Sequence, residues 1–341
     1  MSNPDQANPA GPRRLLPAVL GIGVSLALLF WALRGVKLDD ILHHVRAARP
    51  APLLVAVILA TLTFPLRLIR WRLLLRHESG RPYPAAPLWH AVAVGFMANN
   101  LLPLRAGELV RAYTASRLGP IRFTTVLSSI AVERIFDGLT IAALLTVALL
   151  GPGLPSGVMV GGVSVARLAR VAGLLGGLAL VLSIAVLVAP LRAERLVRSV
   201  LPWPTLADRV VSLIEGIRQG LVVLRTPSRL FLVVFWSFVL WLVNALAFYV
   251  GFAAFDIPVS YLGTLLMQGL LVLGISIPST PGFFGPFEAV IVAALALYGV
   301  PRDLAFSYAI SFHVTSFIPI TLLGLWSLAR TPGGFRRLRR V

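Results

Sequence analysis

Six stretches of this chain are each long and apolar enough to cross the hydrocarbon core of a lipid bilayer. They lie at residues 15–33, 52–69, 125–150, 171–188, 230–254 and 304–328. A membrane-spanning helix needs about 20 apolar residues to cross roughly 30 Å of hydrocarbon. Because 57% of the residues are hydrophobic and 13% are charged, the sequence predicts an all-α polytopic membrane protein with about six full spans, forming a single membrane domain over residues 1–341.

Two further apolar segments, at residues 88–117 and 259–300, are interrupted by proline and glycine. Proline ends or kinks a helix because it lacks a backbone donor, and glycine permits tight turns. We therefore expect each segment to form a broken re-entrant helix pair that enters and leaves the membrane on the same side. The residues expected to shape these breaks are Pro103, Gly107, Pro278, Pro281, Gly282 and Gly285.

The elements around the two breaks recur at a nearly constant offset along the chain. Pro103 and Pro281 lie 178 residues apart, and the spans that begin at residues 52 and 230 have the same separation. This spacing predicts two repeat units, at residues 52–150 and 230–328. Interrupted segments at corresponding positions of two halves are the best sequence pointer to the binding site of a membrane transporter.

The chain carries a formal charge of +18, and all its basic residues except Lys37 are arginine. These arginines cluster beside the apolar spans, which is typical of the positive-inside rule rather than of nucleic-acid binding. The distribution predicts that both termini lie in the cytoplasm and that the two repeats are inverted. Residues 192–229, which include a segment of helical periodicity, are expected to form a cytoplasmic amphipathic connection.

Charged residues near the first break and inside the apolar span 125–150 are the main candidates for binding a substrate. Arg105, Glu108 and Arg111 recur three residues apart, a spacing that brings side chains to one helix face. Charged groups inside a membrane span are costly unless they face a cavity or a partner. The candidate substrate-binding residues are Asn100, Arg105, Glu108, Arg111, Glu133, Arg134, Asp137 and Glu288.

Two interpretations of these charges stay open at the level of sequence. In one, the arginines and the start of the resumed helix bind a phosphate group; in the other, the charges form structural ion pairs or lie in the headgroup layer. Glu288 either caps its helix or neutralises a buried cation. His313, in the last span, is expected to be a hydrogen-bonded interior residue rather than a proton relay. The chain has no cysteine and no metal-ligand spacing, so we expect no cofactor and no metal.

In their order and approximate spacing, these motifs resemble the flippase-like membrane region of lysylphosphatidylglycerol synthases. The matching motifs are Asn100-x-x-Pro103-x-Arg105-x-Gly107-Glu108-x-x-Arg111, Glu133-Arg134-x-x-Asp137 and Pro278-x-x-Pro281-Gly282-x-x-Gly285-x-x-Glu288. In the bifunctional relatives, such a region moves the aminoacylated lipid between leaflets and a separate soluble domain attaches the amino acid. No part of this sequence resembles that soluble domain, so the resemblance implies lipid translocation without aminoacyl transfer. Pro286 departs from the expected pattern within the last motif.

The sequence therefore favours a flippase-like transporter of an anionic phospholipid or a polyprenyl-phosphate-linked lipid. The alternative is a membrane-embedded enzyme or an accessory subunit of lipid or glycolipid biosynthesis, and a third is a structural subunit that moves nothing. Anionic membrane lipids are the expected partners, and nucleic acid is not. A homo-oligomer and a lipid-biosynthesis partner protein both stay open.

Overall fold

A computed structural model describes residues 16–76, 81–102, 106–151, 159–160, 163–188, 226–276 and 280–331, together with Ser199, Trp203, Thr205 and Asp208. Among the residues singled out from sequence, Pro103, Arg105 and Pro278 lie outside this described part. So does nearly all of the predicted connection at residues 192–229. The other candidate residues are described.

The described chain is almost entirely helical, as predicted. Its helices are α1 (Leu16–Leu33), α2 (Leu38–Ala47), α3 (Pro50–Leu74), α4 (Ala85–Leu101), α5 (Gly107–Leu118), α6 (Phe123–Leu150), α7 (Val165–Val188), α8 (Pro227–Ala253), α9 (Tyr261–Gly274), α10 (Pro286–Ala296) and α11 (Arg302–Arg330), with one 3-10 turn at Pro281–Phe283. Ahead of α7, the strands β1 (Met159–Val160) and β2 (Val163–Ser164), each two residues long, pair antiparallel.

Three of the described helices, α3, α8 and α11, are long and apolar enough to cross a membrane. α6 is also long, at 28 residues, but it carries three charged side chains near its middle. The number of full spans, six in the sequence-based prediction, therefore stays a prediction. The sides on which the termini lie stay one as well.

Both predicted breaks separate two helices that pack against each other. At the first break, α4 ends at Leu101 and α5 begins at Gly107, and an added Cβ at Gly107 would overlap the Gly95 carbonyl. At the second, the 3-10 turn stands between α9 and α10, and Pro286 occupies the first position of α10, where a missing donor is harmless. The breaks are thus present, while re-entry on one side of a membrane stays a prediction.

The two units have matching helix lengths. Helices α3 to α6 contain 25, 17, 12 and 28 residues, and helices α8 to α11 contain 27, 14, 11 and 29. We call α3 to α6 the first unit and α8 to α11 the second unit. In this pairing α3 corresponds to α8, α4 to α9, α5 to α10 and α6 to α11.

The packing of these helices is unchanged when the two units are exchanged. α3 packs on α8; α4 packs on α11, just as α9 packs on α6. Within the units, the α4–α5 and α5–α6 contacts have counterparts in α9–α10 and α10–α11. The remaining contacts, of α3 with α4, α6 and α11, recur as those of α8 with α9, α11 and α6. Each unit therefore contributes equivalent surfaces to a shared interior.

Candidate functional site

The interior between α3, α5, α6 and α8 contains a cluster of arginines and carboxylates, which we call the arginine cluster. Its centre is Glu133 of α6, which is fully buried. Arg111 of α5 donates to both carboxylate oxygens of Glu133, with NH1 to Oε1 at 3.2 Å and NH2 to Oε2 at 3.0 Å. Arg134 donates to Oε1 at 2.9 Å, and Arg70 of α3 forms an ion pair with the same oxygen at 3.3 Å. One carboxylate thus balances charge from three arginines.

Asp137 lies one turn further along α6 and joins α8 to the cluster. It accepts a hydrogen bond from Arg70 at 2.6 Å and one from the indole of Trp241 in α8 at 2.9 Å. Its other oxygen lies 3.0 Å from NH2 of Arg134. Arg70 also donates to the hydroxyl of Ser237 at 3.0 Å. Charge-assisted bonds of this kind are the strongest hydrogen bonds in proteins.

Glu108 lies at the more exposed end of the cluster. Its carboxylate is 3.6 Å from Nε of Arg134, and the two side chains are 34% and 37% exposed. This is the longest ion pair of the cluster. Because partly exposed and poorly aligned ion pairs contribute little free energy, the bond between Glu108 and Arg134 is the one most easily exchanged for another partner.

Arg67 lies at the opposite, buried end of the cluster and has no carboxylate within ion-pair distance among the described residues. It is 8% exposed, and its Nε and NH1 atoms are buried with no hydrogen-bond partner. Its guanidinium lies 4.9 Å from the ring centre of Phe96 and 5.7 Å from that of Trp241. Aromatic faces attract a cation, but they accept no strong hydrogen bond.

Within the described part of the chain, the arginine cluster holds four arginines and three carboxylates, a surplus of one positive charge. The arginines are Arg67, Arg70, Arg111 and Arg134, and the carboxylates are Glu108, Glu133 and Asp137. Since buried charges are costly unless paired, the surplus at Arg67 is the feature that most needs an explanation. An anion would supply the missing acceptor.

A second polar site lies at the second break. Glu288, fully buried, accepts from the Gly285 amide at 2.7 Å and lies 2.6 Å from Nδ1 of His313. The other ring nitrogen of His313 is 2.8 Å from the Gly282 carbonyl oxygen. Glu288 therefore caps α10, as one of its two interpretations expected. His313 is a hydrogen-bonded interior residue, also as expected.

The asparagines at the end of α4 bind protein groups. The side-chain oxygen of Asn99 accepts from the Gly107 amide at 2.9 Å, which closes the first break. Asn100 donates to the hydroxyl of Thr321 in α11 at 3.0 Å. Buried or partly buried amides that join two helices in this way position the backbone, so Asn100 fixes the first break against the last helix.

Of the eight candidate binding residues, the structure brings five into the arginine cluster, namely Glu108, Arg111, Glu133, Arg134 and Asp137. Glu288 belongs to the second polar site, Asn100 lies at the interface of α4 and α11, and Arg105 is outside the described residues. Sequence reasoning missed Arg67, Arg70, Ser237 and Trp241. The signal for the two arginines is their i, i+3 spacing at the end of an apolar run, but arginines beside a span are also what the positive-inside rule produces.

Comparison with known proteins assigns the family. A model of the lysylphosphatidylglycerol synthase TM region matches residues 18–324 of this chain. The chain belongs to this family. The matched range contains both breaks, the arginine cluster and the second polar site, so the resemblance deduced from the motifs is confirmed for the greater part of the chain.

Three relatives place this family member among membrane proteins. Two are UPF0104 membrane proteins of Methanothermobacter thermautotrophicus: one is 26% identical over 322 residues, 89% of this chain and 90% of the relative, and the other is 24% identical over 330 residues, 92% of each. The third, named glycosyltransferase AglD, of Haloferax volcanii, is 35% identical over 142 residues, 41% of this chain and 23% of AglD. The match thus spans less than a quarter of AglD. The family and its helices make this protein an integral membrane protein.

Proposed function

We propose that this protein moves an anionic phospholipid or a polyprenyl-phosphate-linked lipid between the leaflets of a bacterial or archaeal cytoplasmic membrane. The observation that carries the proposal is the surplus buried cation at Arg67, whose Nε and NH1 lack partners. A phosphate group offers several acceptor oxygens and negative charge, and arginine recognises it with paired donors. Binding it would balance the charge of the cluster.

The ion pairs of the cluster suggest how a phosphate would enter. Glu108 and Arg134 form the exposed, 3.6 Å pair, so an incoming phosphate would displace Glu108 first. It would then reach the more deeply buried arginines while Glu133 and Asp137 hold Arg70 and Arg111 in place. Exchanging a carboxylate for a phosphate keeps each arginine paired, which lowers the barrier to binding and to release. Arg105, which follows the first break in sequence, stays in the proposed binding set.

We also propose that the two units are inverted repeats around this site. Two observations support the arrangement: the helix lengths match, and the packing is unchanged when the units are exchanged. In transporters with inverted repeats, broken helices meet near the middle of the membrane and one unit moves against the other. The lipid headgroup would occupy the polar interior while its hydrocarbon chains stay in the bilayer.

The test is leaflet exchange of labelled lipids in vesicles that contain the purified protein. We expect exchange of an anionic phospholipid or a polyprenyl phosphate well above that of protein-free vesicles, and at least a tenfold reduction for Arg67→Gln. Arg49→Gln is the matched control, because Arg49 pairs with Asp256 at an exposed position outside the cluster. Equal rates for wild type and Arg67→Gln, or no exchange by wild type, would refute the proposal.

A second candidate function is a role in glycolipid biosynthesis, favoured by the similarity to the protein named glycosyltransferase AglD. In that case the arginine cluster would present a lipid phosphate for modification rather than carry it across the membrane. Mass spectrometry of the lipids after the same vesicle assay, with a sugar donor added, separates the two functions. A changed headgroup without leaflet exchange would favour biosynthesis.

A further inference from the structure

The second polar site consists of two residues that titrate and one backbone oxygen that does not. His313 of α11 lies between them, with Nδ1 2.6 Å from Oε1 of Glu288 and Nε2 2.8 Å from the Gly282 carbonyl oxygen. A carbonyl oxygen only accepts hydrogen bonds. Nε2 must therefore carry a hydrogen for this contact to be attractive.

This requirement fixes the proton content of the pair. With Nε2 protonated, Nδ1 either carries a second proton and donates to an ionised Glu288, or accepts from a protonated Glu288. Both arrangements contain the same number of protons and differ by a shift along one 2.6 Å bond. Each contains one proton more than a neutral imidazole beside a carboxylate. The site as built thus holds one exchangeable proton.

We propose that Glu288 and His313 bind one proton, and that release of this proton frees the 3-10 turn at Pro281–Phe283 from α11. Without the proton, a neutral imidazole has one N–H for two acceptors. The charged carboxylate takes it, since bonds to a charged acceptor are about twice as strong. A nitrogen lone pair then faces the Gly282 oxygen, and that contact becomes repulsive.

The turn is held in a conformation that its own sequence does not favour. Gly282 and Phe283 both have positive φ, at 68° and 63°, and a non-glycine residue rarely adopts this region. Gly285 follows at a φ of 96°. Since the His313 bond to Gly282 holds the middle of this turn, its loss would allow the turn to relax.

Two aromatic rings and one carboxylate surround His313. The rings of Phe284 and Phe287 stack on the two faces of the imidazole, with centroids 4.4 Å and 4.1 Å away. Aromatic faces stabilise a cation. Among the described residues, Glu288 is the one charged group within ion-pair distance of His313, so proton release would leave a buried carboxylate with no cation beside it.

Several other titratable groups on α11 and on the helices packed against it have partners away from His313. From α2, His44 bonds Asp303 at the start of α11, and from α4, His90 contacts Trp326 toward its end. Tyr308 donates to the Phe248 carbonyl of α8. On α3, Arg67 and Arg70 face the arginine cluster, and Arg72 donates to the Tyr83 carbonyl oxygen. The described part of α1 contributes Ser25, whose hydroxyl accepts from the Thr280 amide at 3.0 Å.

The 3-10 turn at the second break also contacts the first break, so a change in the turn can affect the first break. The 3-10 turn packs against α4, and the carbonyl oxygen of Asn100 lies beside Gly282. The adjacent Asn99 holds the Gly107 amide at the start of α5. Chains of packed groups and hydrogen bonds of this kind can carry energetic coupling between two sites.

Hydrogen–deuterium exchange of residues 280–290 in the full-length protein tests this proposal. Glu288→Gln is the key variant, because an amide accepts from Gly285 and donates to Nδ1 without being able to lose the proton. Across about pH 5 to pH 9, a range that brackets ordinary histidine titration, we expect exchange at Phe283 to Gly285 to rise at least tenfold in wild type relative to Glu288→Gln. His44→Gln, which removes a surface histidine–carboxylate pair, should behave as wild type.

The comparison is made at each pH, so the intrinsic pH dependence of amide exchange cancels. A ratio of wild type to Glu288→Gln that stays at one throughout would overturn the proposal. ¹⁵N spectra of histidine-labelled wild type give a second test that needs no variant. A His313 ring that carries hydrogen on Nδ1 alone at every pH would overturn it as well. Neither test depends on lipid movement, so the proposed function can fail while this inference stands.

Discussion

The two breaks occupy equivalent places in the two units, yet they carry different chemistry. Arg134 is the twelfth residue of α6 and His313 the twelfth of α11. Each faces a glutamate in the first turn of the preceding short helix, Glu108 at 3.6 Å and Glu288 at 2.6 Å. Arginine keeps its charge at any physiological pH, whereas histidine loses it near neutrality. Equivalent positions thus hold an arginine in the first unit and a histidine in the second, each beside a glutamate.

The surroundings of the Glu108–Arg134 pair and the Glu288–His313 pair differ in exposure and in the number of charged neighbours. Arg134 is 37% exposed and joins a network of four arginines that spans three further helices. His313 is enclosed by two phenylalanine rings and pairs with one carboxylate. A network of permanent charges suits a polyvalent anion, and an enclosed single pair suits a proton. The matching helices thus position unlike side chains at the two breaks.

The largest effect on stability is expected from removing the negative charge of Glu133, the centre of the arginine cluster. Glu133→Gln leaves Arg111 without an ion-pair partner among the described residues, while Arg70 and Arg134 keep Asp137. Breaking a buried ion pair by removing one partner costs about 3 to 5 kcal/mol. We therefore expect a large loss of thermal stability, measured by tryptophan fluorescence of the purified protein in detergent.

Glu108→Gln is the matched control for this experiment. The pair that it removes is 3.6 Å long and one-third exposed, and such pairs contribute at most about 1 kcal/mol. If both variants melt at the same temperature as wild type, Glu133 is not the centre of a buried charge network.

An intermediate effect is expected from making the first unit resemble the second. Arg134→His places a titratable cation opposite Glu108 and Asp137. Below the histidine pKa, near 6.5 for an unperturbed side chain, the imidazolium keeps its carboxylate partners; as the pH rises through that value the charge is lost. The lipid-exchange rate of Arg134→His, divided by that of wild type at the same pH, should therefore fall about tenfold between pH 5.5 and pH 8.

Arg134→Lys separates charge from shape in that experiment. Lysine keeps the positive charge over the whole range but offers a single charged nitrogen in place of a planar fork. We expect a lower exchange rate whose ratio to the wild-type rate does not change with pH. Equal pH profiles for Arg134→His and Arg134→Lys would show that the charge at this position does not limit lipid exchange.

Hydropathy located the helices well, because burial in lipid demands long apolar runs whatever their neighbours are. The spans predicted at residues 125–150, 230–254 and 304–328 differ from α6, α8 and α11 by three residues or fewer at each end. Proline and glycine likewise marked both breaks. Helix-breaking chemistry is local, so it can be recognised without a partner.

The prediction for α3 stopped too early, and the reason is instructive. The predicted span ended at residue 69, whereas α3 continues to Leu74 and buries Arg67 and Arg70. In sequence these arginines resembled charges at the membrane surface. Asp137, which bonds Arg70, lies 67 positions away along the chain. Because the carboxylate that neutralises Arg70 is distant in sequence, the residues around Arg70 do not indicate that it is buried.

The smallest effect concerns the link between the units. Trp241 belongs to the second unit but donates its indole N–H to Asp137 of the arginine cluster, at 2.9 Å. Trp241→Phe removes that donor while Asp137 keeps Arg70 and Arg134, and a single hydrogen bond to a charged group is worth about 1.5 to 3 kcal/mol at most. We expect the free energy of unfolding to decrease by an amount toward the lower end of that range, which thermal unfolding of the purified protein would measure.

Trp236→Phe serves as the control, because it makes the same change one turn away on α8, where Trp236 contacts Phe235 rather than the cluster. Deuterium uptake of residues 280–290 should not change in Trp241→Phe, since the indole bonds the arginine cluster and not the second polar site. Faster uptake there would mean that the two breaks are coupled through α8 as well. In that case the path from Gly282 through Asn100 and Asn99 to Gly107 would not be the sole connection between the two breaks.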